Sequence, residues 1–256
     1  MSAFELERVT SQLIKGEIVW SLHFEPECTS TQDLARRAVA EGVDQGWTVV
    51  TDLQLAGRGR QGRTWESPRG EGLLFSIVLR PPIDVLALLP LLAGLTVAGA
   101  IEATTGAVAD LKWPNDVLLA GKKVAGILLE RPPDSAVVLG VGINVNQAPA
   151  GLLENGTSIA AVVDHPVERE ALLAAILNDL GNAYERAGRE GVDWIVPAWR
   201  SRSSMLGQPV VFTRDGSQTQ AIAEDVGSNG ALIVRTSDGT RIELIAGEVE
   251  RLRFRE

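Results

Sequence analysis

The last fifty residues constrain the fold most. Five short apolar runs, 210–213, 219–226, 231–236, 241–245 and 249–254, are joined at Asp215-Gly216, Asn229-Gly230 and Asp238-Gly239. Asp-Gly and Asn-Gly accept the positive φ of tight hairpin turns, so these joints predict antiparallel pairs of strands. So many strands in so little chain predict a small C-terminal β-barrel. The composition changes at Leu206-Gly207, which places a domain boundary there, with 1–206 as one domain and 207–256 as the other.

The larger part reads as a mixed α+β unit. Apolar runs at 47–53 and 73–79 predict buried strands, and 18–24 an extended lead-in. Runs at 110–113, 117–120, 124–130 and 136–145, separated by Pro114-Asn115-Asp116, Gly121-Lys122 and Pro132-Pro133, predict a mostly antiparallel meander. Helical spacing predicts helices over 4–15, 32–41, 167–187 and 194–202. The most apolar stretch, 85–101, contains Pro90, Gly94, Thr96 and Gly99 and falls short of the ~20 apolar residues a membrane span needs, so it predicts a core helix.

Charge and cysteine count exclude several functions. Lys and Arg total 24 against 33 Asp and Glu, a net charge of −9, which argues against holding nucleic acid by bulk charge. Any basic site must be local. One cysteine, Cys28, allows no internal disulfide, and His23 and His165 add no zinc constellation, so a reducing cytoplasm is the expected location. The first residues carry acids and no apolar core, unlike a signal peptide.

Three clusters carry chemistry. Gly57-Arg58-Gly59-Arg60-Gln61-Gly62 matches the dinucleotide fingerprint, but Arg63-Thr64-Trp65-Glu66-Ser67-Pro68 follows where a helix should open, and residue 77 is Ile where an acid is needed. Glycines that admit a close ligand and arginine forks suit a polyphosphate or an adenylate. A solvated basic turn is the plainer alternative. In Lys112-Trp113-Pro114-Asn115-Asp116 and the run Lys123 to Glu130, Asn115 and Asp116 offer oxygen ligands of the kind Mg²⁺ accepts, and Lys112 and Lys123 offer point charges for phosphoryl chemistry. Ordinary turns have the same composition. Ser30-Thr31-Gln32, at a helix start, either hydrogen-bond a neutral ligand head or simply cap the helix, and Gln54, at the end of a buried strand, has the same two readings.

Taken in order, these clusters resemble the biotin–protein ligases, which attach biotin to a lysine of carboxylase carrier domains. The likeness runs from about residue 30 to 256 and rests on Ser30-Thr31, Gln54, the loop from Ala56 to Arg63, Trp65, Lys112 to Asp116, Lys123 to Glu130 and Gly140-Val141-Gly142-Ile143-Asn144. It implies a mixed sheet with helices like that of class II aminoacyl-tRNA synthetases, followed by an SH3-like C-terminal barrel. The implied reaction makes biotinyl-5′-AMP from biotin and ATP with Mg²⁺, then transfers the biotinyl group to the carrier lysine. Carried over, Ser30, Thr31, Gln32, Gln54, Gly57, Gly59, Gly126 and Gly142, with Arg58, Arg60 and Lys123, would bind biotin. Arg58, Arg60, Arg63, Trp65, Lys112, Asn115, Lys123 and Asn144 would bind ATP and the adenylate. Lys123, Arg58, Arg60, Lys112 and Asp116 would be catalytic, with Asp116 also the metal ligand and the group that eases deprotonation of the carrier lysine.

Two departures from the family pattern stand out. The family often has Asn where this chain has Gln32, and about 29 residues precede the Ser-Thr pair, too few for the DNA-binding domain that some bacterial members carry. A short form with no nucleic-acid or membrane partner is the expectation, as monomer or homodimer. Lipoate or octanoate ligation, on the same fold, and a non-catalytic biotin sensor are the alternatives; the arginine loop and the Lys-Trp-Pro-Asn-Asp run favour biotin.

Overall fold

A seven-stranded mixed sheet carries the first part of the chain. The structure, a computed structural model, describes residues 4–132, 136–246 and 251–254, the last four as backbone. The strands are β1 (Ser21–Glu25), β2 (Trp47–Thr51), β3 (Gly72–Leu79), β4 (Ala109–Lys112), β5 (Asp116–Leu119), β6 (Lys122–Glu130) and β7 (Val137–Asn144), in the order β1-β2-β3-β7-β6-β5-β4. β4 to β7 form the expected antiparallel meander, and β1 runs parallel to β2 through the crossover helix α2 (Thr31–Ala40).

Alternation along β3 and β7 sorts the two faces. Leu73, Phe75, Ile77 and Leu79, with Leu139, Val141 and Ile143, point into the main core. There they meet α3 (Ile83–Thr105) and α5 (Arg169–Glu190), with α6 (Ile195–Ser201) and the short α1 (Leu6–Thr10) alongside. Val78 and Val138 point the other way, to Ala35 and Val39 of α2. Helix α3 would be long and apolar enough to span a membrane by length and composition alone; here it is the central core helix. It outruns the expected 85–101 because Gly106, left-handed at φ 73°, is its stop.

The N-terminal helix is a correction. Instead of 4–15 only Leu6–Thr10 is helical, because the Thr10 and Ser11 hydroxyls and the Gln12 amide turn back onto the carbonyls of Leu6 and Arg8. A one-turn helix α4 (Ile159–Val163), capped by Ser158, was not expected.

The C-terminal segment holds β8 (Pro209–Arg214), β9 (Ser217–Val226), β10 (Leu232–Thr236), β11 (Arg241–Leu244) and β12 (Arg251–Phe254), in the order β11-β10-β9-β8-β12. Asp215 and Gly216 both take positive φ, as a type I′ hairpin requires. The expected barrel is, among the described residues, an open antiparallel sheet, since β11 and β12 do not pair. The predicted residues 249–250 of the last strand, and Pro133 of the 132–133 turn, lie outside the described residues. Trp113 ties the two sheets together: its Nε1 donates to the Gly230 carbonyl at 2.9 Å, and its backbone N–H lies 3.2 Å from Met205 Sδ.

Candidate active site

The α2 face of the seven-stranded sheet is floored by glycine. Register sets Gly126 opposite Gly142, and Leu128 opposite Gly140. A Cβ on Gly142 would stand 2.6 Å from the Trp65 ring, one on Gly126 3.0 Å from it, and one on Gly140 2.9 Å from the Gln32 carboxamide. Bare backbone therefore makes room for two side chains and for a cleft of about 330 Å³ above them.

One end of this cleft is neutral and hydrogen-bonding. Ser30 caps α2 by accepting from the Gln32 N–H at 3.3 Å, as the plain reading expected. It also lines the cleft, so one hydroxyl both caps the helix and faces the cleft. Gln54 Oε1 collects three donors: Thr31 N–H at 2.9 Å, Thr31 Oγ1 at 3.1 Å and Ser30 Oγ at 3.3 Å. Ser76 Oγ supports Thr31 Oγ1 from the strand beneath at 2.8 Å. With its oxygen committed, the Gln54 carboxamide has a fixed orientation. Gln32, 3% exposed, donates Nε2 to the Leu128 carbonyl at 3.3 Å, while its Oε1 is buried with no hydrogen-bond partner among the described residues.

The rest of the lining is cationic. Arg58, Arg60, Arg63, Lys112 and Lys123 line the cleft, with Asp116 the single carboxylate among the described residues, in a chain of net charge −9. The glycine loop turns through a 3₁₀ element at Arg60–Gly62, where Gln61 and Gly62 take positive φ, and closes by Gly59 N–H to Arg63 O at 2.7 Å and Trp65 N–H to Gly57 O at 2.9 Å. Arg60 reaches Asn115 Oδ1 at 3.4 Å and the Ala246 carbonyl beyond β11. Burial, aided by the Arg63 charge and opposed by Asp116, pushes the Arg60 guanidinium below its ordinary value.

A β-bulge aims Lys123. The β5–β6 register shifts between Val117 and Leu118, so that Val124 and Ala125 both join the core and Lys123 turns to the cleft face. Its Nζ lies 2.5 Å from Asp116 Oδ1 and 5.5 Å from the centre of the Trp65 ring. Its backbone pairs with the chain at 155–157 through Asn155 O and Thr157 N, each at 2.9 Å. Asn115 is braced from both ends by Ile127, through Nδ2 to Ile127 O at 2.8 Å and through Asn115 O to the Ile127 N–H at 3.0 Å.

Of the residues singled out in the sequence, fifteen converge on this cleft: Ser30, Thr31, Gln32, Gln54, Arg58, Gly59, Arg60, Arg63, Trp65, Lys112, Asn115, Asp116, Lys123, Gly126 and Gly142. Gly57 and Asn144 do not line it. Gly57 is buried at the start of the loop, where a Cβ would meet the Trp65 carbonyl at 2.2 Å. Asn144 holds the next loop instead, donating to Thr157 O at 3.1 Å and accepting from Gln147 at 3.2 Å. Phe75, Leu153 and Asn155 also line the cleft and carried no sequence signal. Phe75 looks like any strand residue, and the last two arrive only because their loop pairs with Lys123.

Residues 25–147 match the family model described as Biotin/lipoate A/B protein ligase family, and residues 205–252 match that of the Biotin protein ligase C terminal domain. The class is thus that of the biotin and lipoate protein ligases. The chain is 36% identical over 217 residues to a biotin–[acetyl-CoA-carboxylase] ligase of Paracoccus denitrificans, covering 80% of this chain and 90% of that one. It is 34% identical over 232 residues to the enzyme of that name from Mycobacterium tuberculosis, covering 88% and 86%. The solved biotin protein ligase of Aquifex aeolicus in complex with biotin and ATP matches with a TM-score of 0.81 at 30% identity, over 91% of this chain and 99% of that one. Within the class the chain belongs to the biotin protein ligases.

Proposed function

We infer that the cleft carries out ATP-dependent biotin–protein ligation in two steps. In the first, a carboxylate oxygen of biotin attacks the α-phosphorus of ATP, the bond to pyrophosphate breaks, and biotinyl-5′-AMP forms. In the second, the neutral amine of a carrier lysine attacks the acyl carbon, an amide forms, and AMP leaves. The observation that carries this reading is the division of one cleft into a neutral hydrogen-bonding end and a cationic end, which fits a ligand with a ureido head and an acyl phosphate.

At the neutral end Ser30, Thr31 and Gln54 meet the ureido ring, with the Gln54 Nε2 left to donate, and Gln32 Oε1 offers an acceptor nearby. A site built of such partners rejects analogues that leave them unpaired. At the other end Lys123, Arg58, Arg60, Arg63 and Lys112 neutralise the two anions that must approach one another, so catalysis is positioning and charge stabilisation. Gly57, Gly59, Gly126 and Gly142 give the backbone clearance this needs, and Trp65 and Asn115 shape the nucleotide side. Asn144 contributes by holding the loop behind Lys123.

Mg²⁺ enters as part of the MgATP substrate. Among the described residues no group of three or more His, Cys, Asp or Glu could hold an ion unaided. One carboxylate at a phosphate site fits an ion whose remaining ligands are phosphate and water. Asp116 is that carboxylate. When bound, the ion supplies charge neutralisation at the phosphates. In the second step Asp116 eases deprotonation of the carrier lysine, whose ordinary pKa of about 10.4 keeps it charged at neutral pH.

The partner is the biotin carboxyl carrier domain of a carboxylase, and the location a reducing cytoplasm, in keeping with a lone cysteine. The acidic net charge supports the absence of a nucleic-acid partner. We divide the chain at 206, in keeping with a second family match that begins at 205. Purified chain, MgATP and biotin should label one lysine of a biotin carboxyl carrier domain, detected as a mass increase by mass spectrometry. No increase, or an equal one with lipoate, overturns the reading.

A further inference from the structure

The arginine that opens the glycine loop is held from behind the cleft. Arg58 lines the cleft, yet its NH2 lies 2.9 Å from Asp33 Oδ1 and 3.6 Å from Glu130 Oε2, on two carboxylates that do not line it. Asp33 belongs to the first turn of α2 and Glu130 ends β6, so the two anchors come from separate elements. Arg36 pairs with the same two carboxylates, meeting Asp33 directly and Glu130 at 3.6 Å, which balances two acids with two guanidiniums. The Arg58 Nε is buried and has no hydrogen-bond partner among the described residues.

We propose that Asp33 and Glu130 are positioning residues for adenylate formation, fixing Arg58 so that its unpartnered Nε–H donates to an oxygen of the acyl phosphate as it forms. The inference rests on the ligase reading above. An arginine on a loop loses rotamer freedom when it is ordered, and a carboxylate that orders it beforehand removes that cost from the reacting complex. The guanidinium is planar, so fixing NH2 also fixes the direction of Nε–H. Tethering and reacting thus fall to different nitrogens of one group. Lysine, a point charge without a fork, could not divide the two roles in this way.

The test is ATP–pyrophosphate exchange with biotin for the wild-type chain, Asp33→Asn, Glu130→Gln, Arg58→Lys and the doubles with Arg58→Lys. Exchange by the wild-type chain tests the parent reading by itself. Each carboxylate variant should lower kcat by about tenfold with the KM for biotin changed less than about twofold, because binding of the ureido head is untouched. In the Arg58→Lys background neither should cost anything further, since the group it positions is gone. The two variants lie on different elements, so misfolding of one, read as a lowered thermal midpoint, leaves the other to decide. Wild-type rates in both folded variants, or losses that multiply with that of Arg58→Lys, overturn the proposal.

Discussion

Lys123 Nζ lies 2.5 Å from Asp116 Oδ1, across a β-bulge that turns the lysine out of the core and onto the glycine floor. The pair joins a cation that lies 5.5 Å from the centre of the Trp65 ring to the single carboxylate of the cleft lining among the described residues. If that charge stabilises the pentavalent α-phosphate, Lys123→Gln should lower the rate of ATP–pyrophosphate exchange by about 100-fold, the scale expected for removing a preorganised charge stabiliser. A loss under about threefold would remove Lys123 from the chemistry.

The glycine floor makes a second prediction. Trp65 sits where a Cβ of residue 142 would be, 2.6 Å from the ring, and somewhat farther from residue 126, at 3.0 Å. Gly142→Ala should destabilise the fold by about 2 kcal/mol and shift the tryptophan emission, as overpacking does, with Gly126→Ala milder in both. Urea denaturation followed by fluorescence reads both quantities. Equal effects would mean that the ring moves freely off the floor.

An ion pair between a buried arginine and a partly buried aspartate fixes the far side of the sheet. Arg169, 6% exposed, donates from NH1 to Asp52 Oδ1 at 2.7 Å and to the Gly72 carbonyl at 3.2 Å, joining α5 to the chain between β2 and the glycine loop. Asp52→Asn leaves a buried guanidinium without its countercharge and should cost about 3 kcal/mol in urea unfolding. A cost below about 1 kcal/mol would show that water reaches Arg169.

The chain has one tyrosine, Tyr184, so its titration can be read directly. Burial of this α5 side chain pushes its phenol from 10.0 up to about 12, and its hydroxyl has no hydrogen-bond partner among the described residues. Between pH 10 and 12 the unfolded chain releases a proton that the native chain keeps. The native state then binds more protons, so stability falls as pH rises through this window. Phenolate absorbance should show a midpoint near 12 in the folded chain, and Tyr184→Phe should flatten the alkaline fall in stability without loss at neutral pH. A midpoint at 10 would contradict the burial.

What was legible in the sequence followed from local physics. Asp215-Gly216 announced its hairpin because both residues must take positive φ, and the spacing of Leu172, Leu173, Ile176, Leu177 and Leu180 announced the buried face of α5. The convergence of Ser30, Gln54, Arg58, Lys112 and Lys123 was legible only through resemblance to a family, since each cluster alone has a plain reading as cap, turn or hairpin tip. Strand order was not legible: the pairing of β3 with β7 joins residues as far apart as Gly72 and Asn144, and no local pattern encodes it. Nor was the lining by Leu153 and Asn155, which depends on tertiary pairing with Lys123. The extent of α1 is not legible either, because the apolar spacing continues past Thr10 while hydroxyl and amide side chains interrupt the helix.

The most direct test of the whole account is ATP–pyrophosphate exchange by the purified chain with Mg²⁺ and, in separate reactions, biotin, lipoate or octanoate. The cleft should support exchange with biotin alone. Exchange with lipoate or octanoate, or none with any acid while biotin still binds, would contradict it.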